Sequence, residues 1–222
     1  MRVLGIDACR AGWVGVELSD GAYARAFLAG SLAHLLEIDE FAAVGVDIPL
    51  GFAGHGWRAA DALAAQRLGA RRSSVFRVPP RVVWEEVDYA AANRRCRELT
   101  GAGLSVQSFG LRRRVLEANA LRDADHPIVE VHPELSFAAM NGGPLGHGKK
   151  SWAGQARRRA LLARAGIVVP DDPGPAGAAA PDDVLDAAAV AWSAARLARG
   201  EAACLPDPPP GDAQGRPVGI WF

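Results

Sequence analysis

Cysteine is scarce: Cys9, Cys96 and Cys204 are the three in 222 residues, odd in number and far apart. That excludes a disulfide framework, and the lack of any CxxC pair argues against a zinc knuckle. Long hydrophobic runs are missing too. No window approaches the roughly 18 apolar residues that a membrane span needs. The opening MRVLGIDACRAGWVGV has neither the apolar core nor the cleavage site of a signal peptide. The expectation is a cytoplasmic protein with no membrane contact. Neither sign of charge is in excess, with 25 Lys+Arg against 25 Asp+Glu. A uniformly basic nucleic-acid binder is thereby excluded, though not a locally basic face.

The charges are segregated along the chain. Residues 1–50 hold three basic and seven acidic groups, and residues 58–122 hold thirteen and six. Residues 149–164 hold six basic groups and no acid, while 165–222 hold three and eight. Acidic ends beside a basic middle suit a polyanionic substrate with metal at its reacting phosphate. The same pattern also describes an Arg-rich solvated helical surface. Half the residues are hydrophobic, enough for one sizeable core.

Residues 2–8 (RVLGIDA) form a short apolar run ending in an acid, which reads as a buried strand. Two further strand-like runs, 13–18 and 23–28, flank Ser19-Asp20-Gly21, and Asp-Gly is a hairpin signal. The chain thus opens as a three-stranded antiparallel meander. Ser31 caps a helix to about residue 39. Residues 43–48 (AVGVDI) repeat the first motif, an apolar run with an acid near its end. Apolar runs around a helix imply parallel pairing under helical cover. Residues 52–122 break the pattern. Helices are expected at 58–68, 88–99 and 107–122, with an irregular SSVFRVPPR between the first two, as a mostly helical basic insertion. Residues 127–132 (PIVEVH) resume the sheet, and 135–140 read as a short helix. Ser151 caps a helix to about 165, residues 170–181 form a Pro/Gly/Ala linker, and Asp182 or Asp183 caps an Ala-rich helix to 199. Residues 218–222 read as an edge strand, and no internal repeat is present.

Two buried strands therefore end in carboxylates, Asp7 and Asp47. Ligands of open α/β sheets bind beyond the carboxyl ends of parallel strands. If the strands are neighbours, the two acids repel unless a cation lies between them, and Mg²⁺ or Mn²⁺ suits oxygen ligands. The last helix adds Asp183 and Asp186 on one face. Asp183 is equally placed to serve as a plain helix cap. Asp186 sits within an apolar stretch (VLDAAAVAW), where a carboxylate needs a partner. Glu130 and His132 share a strand face, and Glu134 follows Pro133. One of the two glutamates is a candidate to complete a metal shell or position water; a solvent-facing acid is the alternative for Glu130.

Here the residues resemble a known group. GIDACRAGWVGV, VGVDIP and DDVLDAAAVA follow the layout of the RNase H-like superfamily. The C-terminal half is similar to RuvC-type Holliday-junction resolvases and their YqgF-like relatives. With SVFRVPPR, EVHPELSF and DIPLGF added, the whole chain resembles a bacterial and archaeal family described as predicted RNase H-like nucleases (domain of unknown function 429). The resemblance implies one RNase H-like α/β domain over 1–222, with a mixed sheet flanked by helices and the helical insertion at 52–122. It implies a metal site on Asp7, Asp47, Asp183 and Asp186, and a divalent-metal nuclease. RuvC-type enzymes carry glutamate on the second acidic strand, whereas this chain has Asp47.

If that holds, two metals about 4 Å apart, bridged by Asp7, would bind the scissile phosphate. Arg77, Arg81, Lys149 and Lys150 are candidates to hold the phosphate backbone, although each is equally a surface cation. His132 is a candidate for orienting a ligand or moving a proton. Trp57 and Trp84 are candidates for base stacking, against the commoner buried role. Cys9 has no base beside it in sequence and is not read as a nucleophile. Nucleic acid is the expected partner. The Ile220-Trp221-Phe222 terminus either packs on the core or joins two copies as a homodimer. Three rival readings remain: an enzyme binding a nucleotide, an enzyme acting on a small phosphorylated metabolite, and a non-catalytic nucleic-acid-binding module.

Overall fold

A computed structural model of the chain describes residues 1–212 and 214–222. It opens with β1 (Arg2–Cys9), β2 (Gly12–Ser19) and β3 (Ala22–Ala29), an antiparallel meander. The β2–β3 turn places Asp20 at φ 51° and Gly21 at φ 85°. Two successive positive φ values are what a tight hairpin turn requires, and Asp-Gly supplies them cheaply. After α1 (Leu32–Leu36) comes β4 (Ala43–Asp47), parallel to β1. The helices α2 (Ala59–Leu68), α3 (Arg81–Glu85), α4 (Tyr89–Thr100), α5 (Val106–Gly110) and α6 (Arg112–Asp123) follow. Next, β5 (Ile128–Glu130) pairs parallel with β4, so the five-stranded sheet runs β3-β2-β1-β4-β5. The chain continues through α7 (Pro133–Asn141), α8 (Trp152–Arg164) and α9 (Pro181–Ala198). It ends in a two-stranded ribbon of β6 (Cys204–Leu205) and β7 (Ile220–Trp221). This mixed sheet flanked by helices is the expected α/β architecture and is consistent with an RNase H-like fold. Among the described residues no helix is long and apolar enough to cross a membrane.

Both faces of the sheet are covered. On one, Val3, Val14 and Val16 pack against Ala187, Ala188, Ala191 and Ala194 of α9. On the other, Leu4, Ile6 and Trp13 pack against Leu32 and Leu35 of α1, Trp84 of α3, and Val115 and Ala118 of α6. The helical stretch after β4 is thus partly a cover for the sheet, with a second cluster of Val83, Ala92, Cys96 and Leu104 outside it.

The close fit of α9 has a specific cause. Gly5 of β1 lies opposite Gly45 of β4. A Cβ on Gly5 would stand 2.0 Å from the Ala191 nitrogen and 2.3 Å from the Ala187 oxygen. Glycine within a strand marks a close backbone approach. Here it lets an alanine-faced helix lie directly on β1, running toward the strand's start. One turn earlier in α9, Asp186 and Asp183 then meet Asp7 at the strand's carboxyl end.

Several boundaries differ from expectation. The first helix stops at Leu36, before the polar, charge-rich residues 37–40. The helix expected over 107–122 is two, broken near Gly110, with Leu111 serving both as C-cap and N-cap. The last helix starts at Pro181 with Ala180 as its N-cap, so neither Asp182 nor Asp183 caps it. Proline at the first position already lacks the N–H a cap would satisfy. At the C-terminus, β7 pairs with β6, and Trp221 also bridges Val131 at the sheet margin. Ile220 and Phe222 pack on Ala60, Ala64 and Leu68 of α2 and on Leu135 of α7, so this terminus belongs to the protein's own core.

Candidate functional site

Asp7 lies directly opposite Asp47 in the β1–β4 register. The two carboxylates are close enough that the charge of Asp47 bears on Asp7. Burial pushes Asp7 well above the usual carboxylate range, and the charges of Asp47, Asp186 and Asp183 push the same way. Burial also raises Asp47, despite the opposing influence of His132 and Lys149. Asp186, 3 % exposed, is pushed up to about 7 by burial, only partly offset by Lys149. Asp183 is raised by burial and by its neighbour Asp182. Four carboxyls thus converge where there is too little positive charge to keep them all ionised.

The cation present is Lys149. Its Nζ lies 2.6 Å from Asp186 Oδ2 and 3.8 Å from Asp182 Oδ2. Burial disfavours its charge, but Asp186, Asp7 and Asp47 outweigh that and hold it above its ordinary value. Lys149 therefore neutralises the acids rather than standing free for a phosphate. Lys150 is exposed and close enough to influence Asp183, and it does not line the cavity described below.

The cluster forms one wall of a cavity of about 430 Å³. Glu130, His132 and Glu134 line it as well, together with Arg71, Ser73, Ser74, Val75 and Phe76. Glu130 is not joined to the aspartates. Arg58 grips it with Nη1 at 2.6 Å and Nη2 at 2.8 Å, and the Leu50 N–H donates to it at 2.7 Å. Asp61 takes the same guanidinium at 2.6 Å and accepts from the Val78 N–H at 2.8 Å. Asn119 accepts from the Gly51 N–H and donates to the Pro49 carbonyl. This buried network fastens the DIPLG turn after Asp47 and the VPP turn to the sheet. The signal for it was thin in sequence, since Arg58, Asp61 and Glu130 are far apart or look like surface charges.

His132 Nε2 lies 3.2 Å from the Ser74 carbonyl, an acceptor, so Nε2 carries a proton. Its Nδ1 is buried and has no partner among the described residues. Glu134 Oε1 accepts from Arg158, and its Oε2 is likewise buried without a partner. Arg158 is fully buried. Its inward position was readable from the spacing of Gly154, Arg158, Leu161 and Leu162 along one face of α8.

Two proposed phosphate holders lie elsewhere. Arg77 stacks over Trp57, 5.1 Å from its ring centre. Arg81, the first residue of α3, turns to Glu85 at 3.1 Å and Asp123 at 2.6 Å, beside a different cavity. The Pro79-Pro80 pair sets the start of α3 and so aims Arg81 away from the aspartates. Trp84 is buried with its Nε1 donating to the Pro79 carbonyl, so it is not available for stacking. Cys9 is buried.

The donor chemistry fits a hard divalent cation: oxygen ligands only, with a surplus of negative charge. As the side chains stand, however, no three Asp, Glu, His or Cys groups among the described residues are arranged to hold a metal ion. Lys149 supplies the counter-charge in this arrangement.

A family model described as "Protein of unknown function (DUF429)" matches residues 5–211. No curated protein and no solved structure matches the chain.

Proposed function

The chain belongs to the DUF429 family, and from that premise we propose that it is a divalent-metal-dependent phosphodiester hydrolase acting on nucleic acid in the cytoplasm. One observation carries the reading. Asp7, Asp47, Asp183 and Asp186 converge at the carboxyl ends of β1 and β4, and their shared charge exceeds what Lys149 neutralises. A cation of charge two relieves that repulsion, and Mg²⁺ or Mn²⁺ matches the oxygen donors.

In this reading the four aspartates hold the metal, which when bound supplies Lewis-acid activation of a phosphate and a water. Lys149, which pairs with Asp186 in the metal-free arrangement, would be the side chain available to face the phosphate if the aspartates held a cation. Glu130 positions rather than reacts, because Arg58 occupies both its oxygens. Glu134 and His132 orient substrate or water through the two atoms that have no partner. A second reading, hydrolysis of a small phosphorylated molecule or nucleotide, is favoured by the cavity, whose volume of about 430 Å³ is in the range of small-ligand pockets.

The deciding experiment incubates pure protein with Mn²⁺ or Mg²⁺ and labelled single-stranded, duplex, hybrid and four-way-junction substrates, with Asp7→Asn and Asp186→Asn beside it. Cleavage by the parent alone supports the nuclease reading. Hydrolysis of nucleotides or small phosphate esters alone moves the assignment to the second reading. Cleavage that survives both substitutions rejects this site.

A further inference from the structure

Trp152 is 90 % exposed. The other five tryptophans are buried or half-buried, and Trp57 and Trp192 are each covered by an arginine. An indole carries a large apolar area, and leaving it in water forgoes the stabilisation that burial brings. Its position at the start of α8 does not need an aromatic, because Ser151 caps the helix by accepting from the Gly154 N–H.

The surroundings indicate a use. Trp152 follows Lys149 by three residues, a chain path of at most about 11 Å from the lysine that pairs with Asp186. The connection is fixed. Ser151 Oγ donates to the Gly148 carbonyl at 2.8 Å, and the Ser151 N–H bonds the same oxygen. A Cβ on Gly154 would lie 1.9 Å from that oxygen, so the first turn of α8 is seated directly on the loop before Lys149. The indole therefore stands on a rigid base three residues beyond Lys149, outside the residues that line the cavity. Its segment is basic: residues 149–164 contain six basic groups and no acid, of which Lys149 turns to Asp186 and Arg158 is buried against Glu134. Lys150, Arg157 and Arg164 are exposed, and Arg159 shares the Trp152 face at a spacing of seven. Arg159 donates to the Val169 carbonyl at 3.2 Å and pairs with the fully exposed Asp171 at 3.0 Å, an ion pair worth little in water.

An exposed, rigid aromatic on a helix whose exposed residues include cations and no acid matches a ligand with a planar face and a negative backbone. We propose that Trp152 is a stacking platform for an unpaired base of single-stranded nucleic acid, with Lys150 and the α8 arginines holding its phosphates and leading the strand to the aspartates. This rests on the proposed function for the class of substrate. Paired bases are hidden in the duplex stack, so the surface selects single strands.

The test is fluorescence anisotropy of a labelled oligothymidylate and of a duplex of equal length, without added divalent cation, using the parent, Trp152→Ala and Trp152→Phe. Trp152→Ala should bind the single strand about five- to a hundredfold more weakly, the range that stacking on one base is worth. Trp152→Phe should retain most of the affinity, and duplex binding should not change. Thermal melting of the exposed-site variants should match the parent. Equal binding by Trp152→Ala, or no single-strand binding by the parent, overturns the proposal. Hydrolysis of bis-p-nitrophenyl phosphate with Mn²⁺ is read in parallel with Asp7→Asn as control. If that activity is missing while the Trp152 effect is present, the platform stands and the hydrolase reading falls. If the activity is present while Trp152→Ala binds normally, the platform falls alone.

Discussion

Arg58 and Glu130 are joined by two near-parallel hydrogen bonds of 2.6 and 2.8 Å, with both side chains buried. The pair lies between the turn that follows Asp47 and the end of β5, and so sets where Asp47 stands. Removing one partner strands a buried charge, at a cost of about 3–5 kcal/mol. Arg58→Ala should therefore lower the urea midpoint sharply, and Glu130→Ala by a similar amount. If Glu130 were instead a metal ligand, Glu130→Ala would weaken Mn²⁺ binding at an unchanged midpoint. Urea unfolding and Mn²⁺ calorimetry on the same protein separate the two roles.

The contact between α9 and β1 makes a second, graded prediction. A Cβ on Gly5 meets backbone atoms of α9 at 2.0 and 2.3 Å, which cannot move without shifting the helix. A Cβ on Gly45 meets the Val190 Cγ1 at 2.8 Å, a side chain with some freedom. Overpacking of this kind costs about 1–3 kcal/mol or more. Gly5→Ala should destabilise more than Gly45→Ala in thermal melting. Equal effects would show that α9 does not rest on β1 as closely as described.

Much of this was legible in short-range pattern. Two apolar runs ending in Asp7 and Asp47, the Asp-Gly hairpin and the alanine stripe of α9 are local signals, and each corresponds to a feature of the sheet. Asp186 stood out because a carboxylate inside an apolar helix needs a partner. What was not legible depends on residues distant in sequence. Glu130 looked like a possible ligand because nothing near it in the chain announces Arg58, which lies 72 residues away. Arg77 and Arg81 looked like phosphate holders because a proline-flanked arginine reads as presented outward, while its direction is fixed by Trp57 and Asp123. Trp57 and Trp84 were the aromatics that sequence favoured. The exposure of Trp152 has no local signal, since it depends on which face of α8 the fold buries.

The raised acids predict an unusual pH dependence for the metal-free protein. Asp186 rises from an unfolded value of about 3.9 to about 7 in the folded chain. Between those limits the folded state binds more protons than the unfolded state. Stability from this group is thus full below about pH 4 and is lost as pH rises through about 7, at most about 4 kcal/mol over the whole span. Acids held low by arginine, such as Glu17, Asp123 and Asp212, act in the opposite direction and are common to every variant. The difference between parent and Asp186→Asn therefore isolates the effect. In urea titrations with chelator, the parent should lose more stability than Asp186→Asn between pH 5 and pH 8. Parallel curves would mean that Lys149 already compensates Asp186 fully.

Lys149 supplies the last prediction, because two roles for it make opposite demands. Its ammonium lies 2.6 Å from Asp186, so a divalent cation entering among the aspartates has to displace it. Lys149→Gln removes the competing charge and leaves the carboxylates in place. The variant should be less stable than the parent without metal at pH 8, where the acids are most ionised and nothing offsets them. Added Mn²⁺ should then raise its melting temperature more than it raises the parent's, because binding to the folded state adds stability in proportion to affinity. If catalysis also needs Lys149 on the phosphate, the same variant will bind Mn²⁺ more tightly and hydrolyse more slowly. That split cannot arise from a lysine that only props the fold. A variant with weaker Mn²⁺ binding would show instead that the ammonium helps to shape the acidic cluster rather than occupying it.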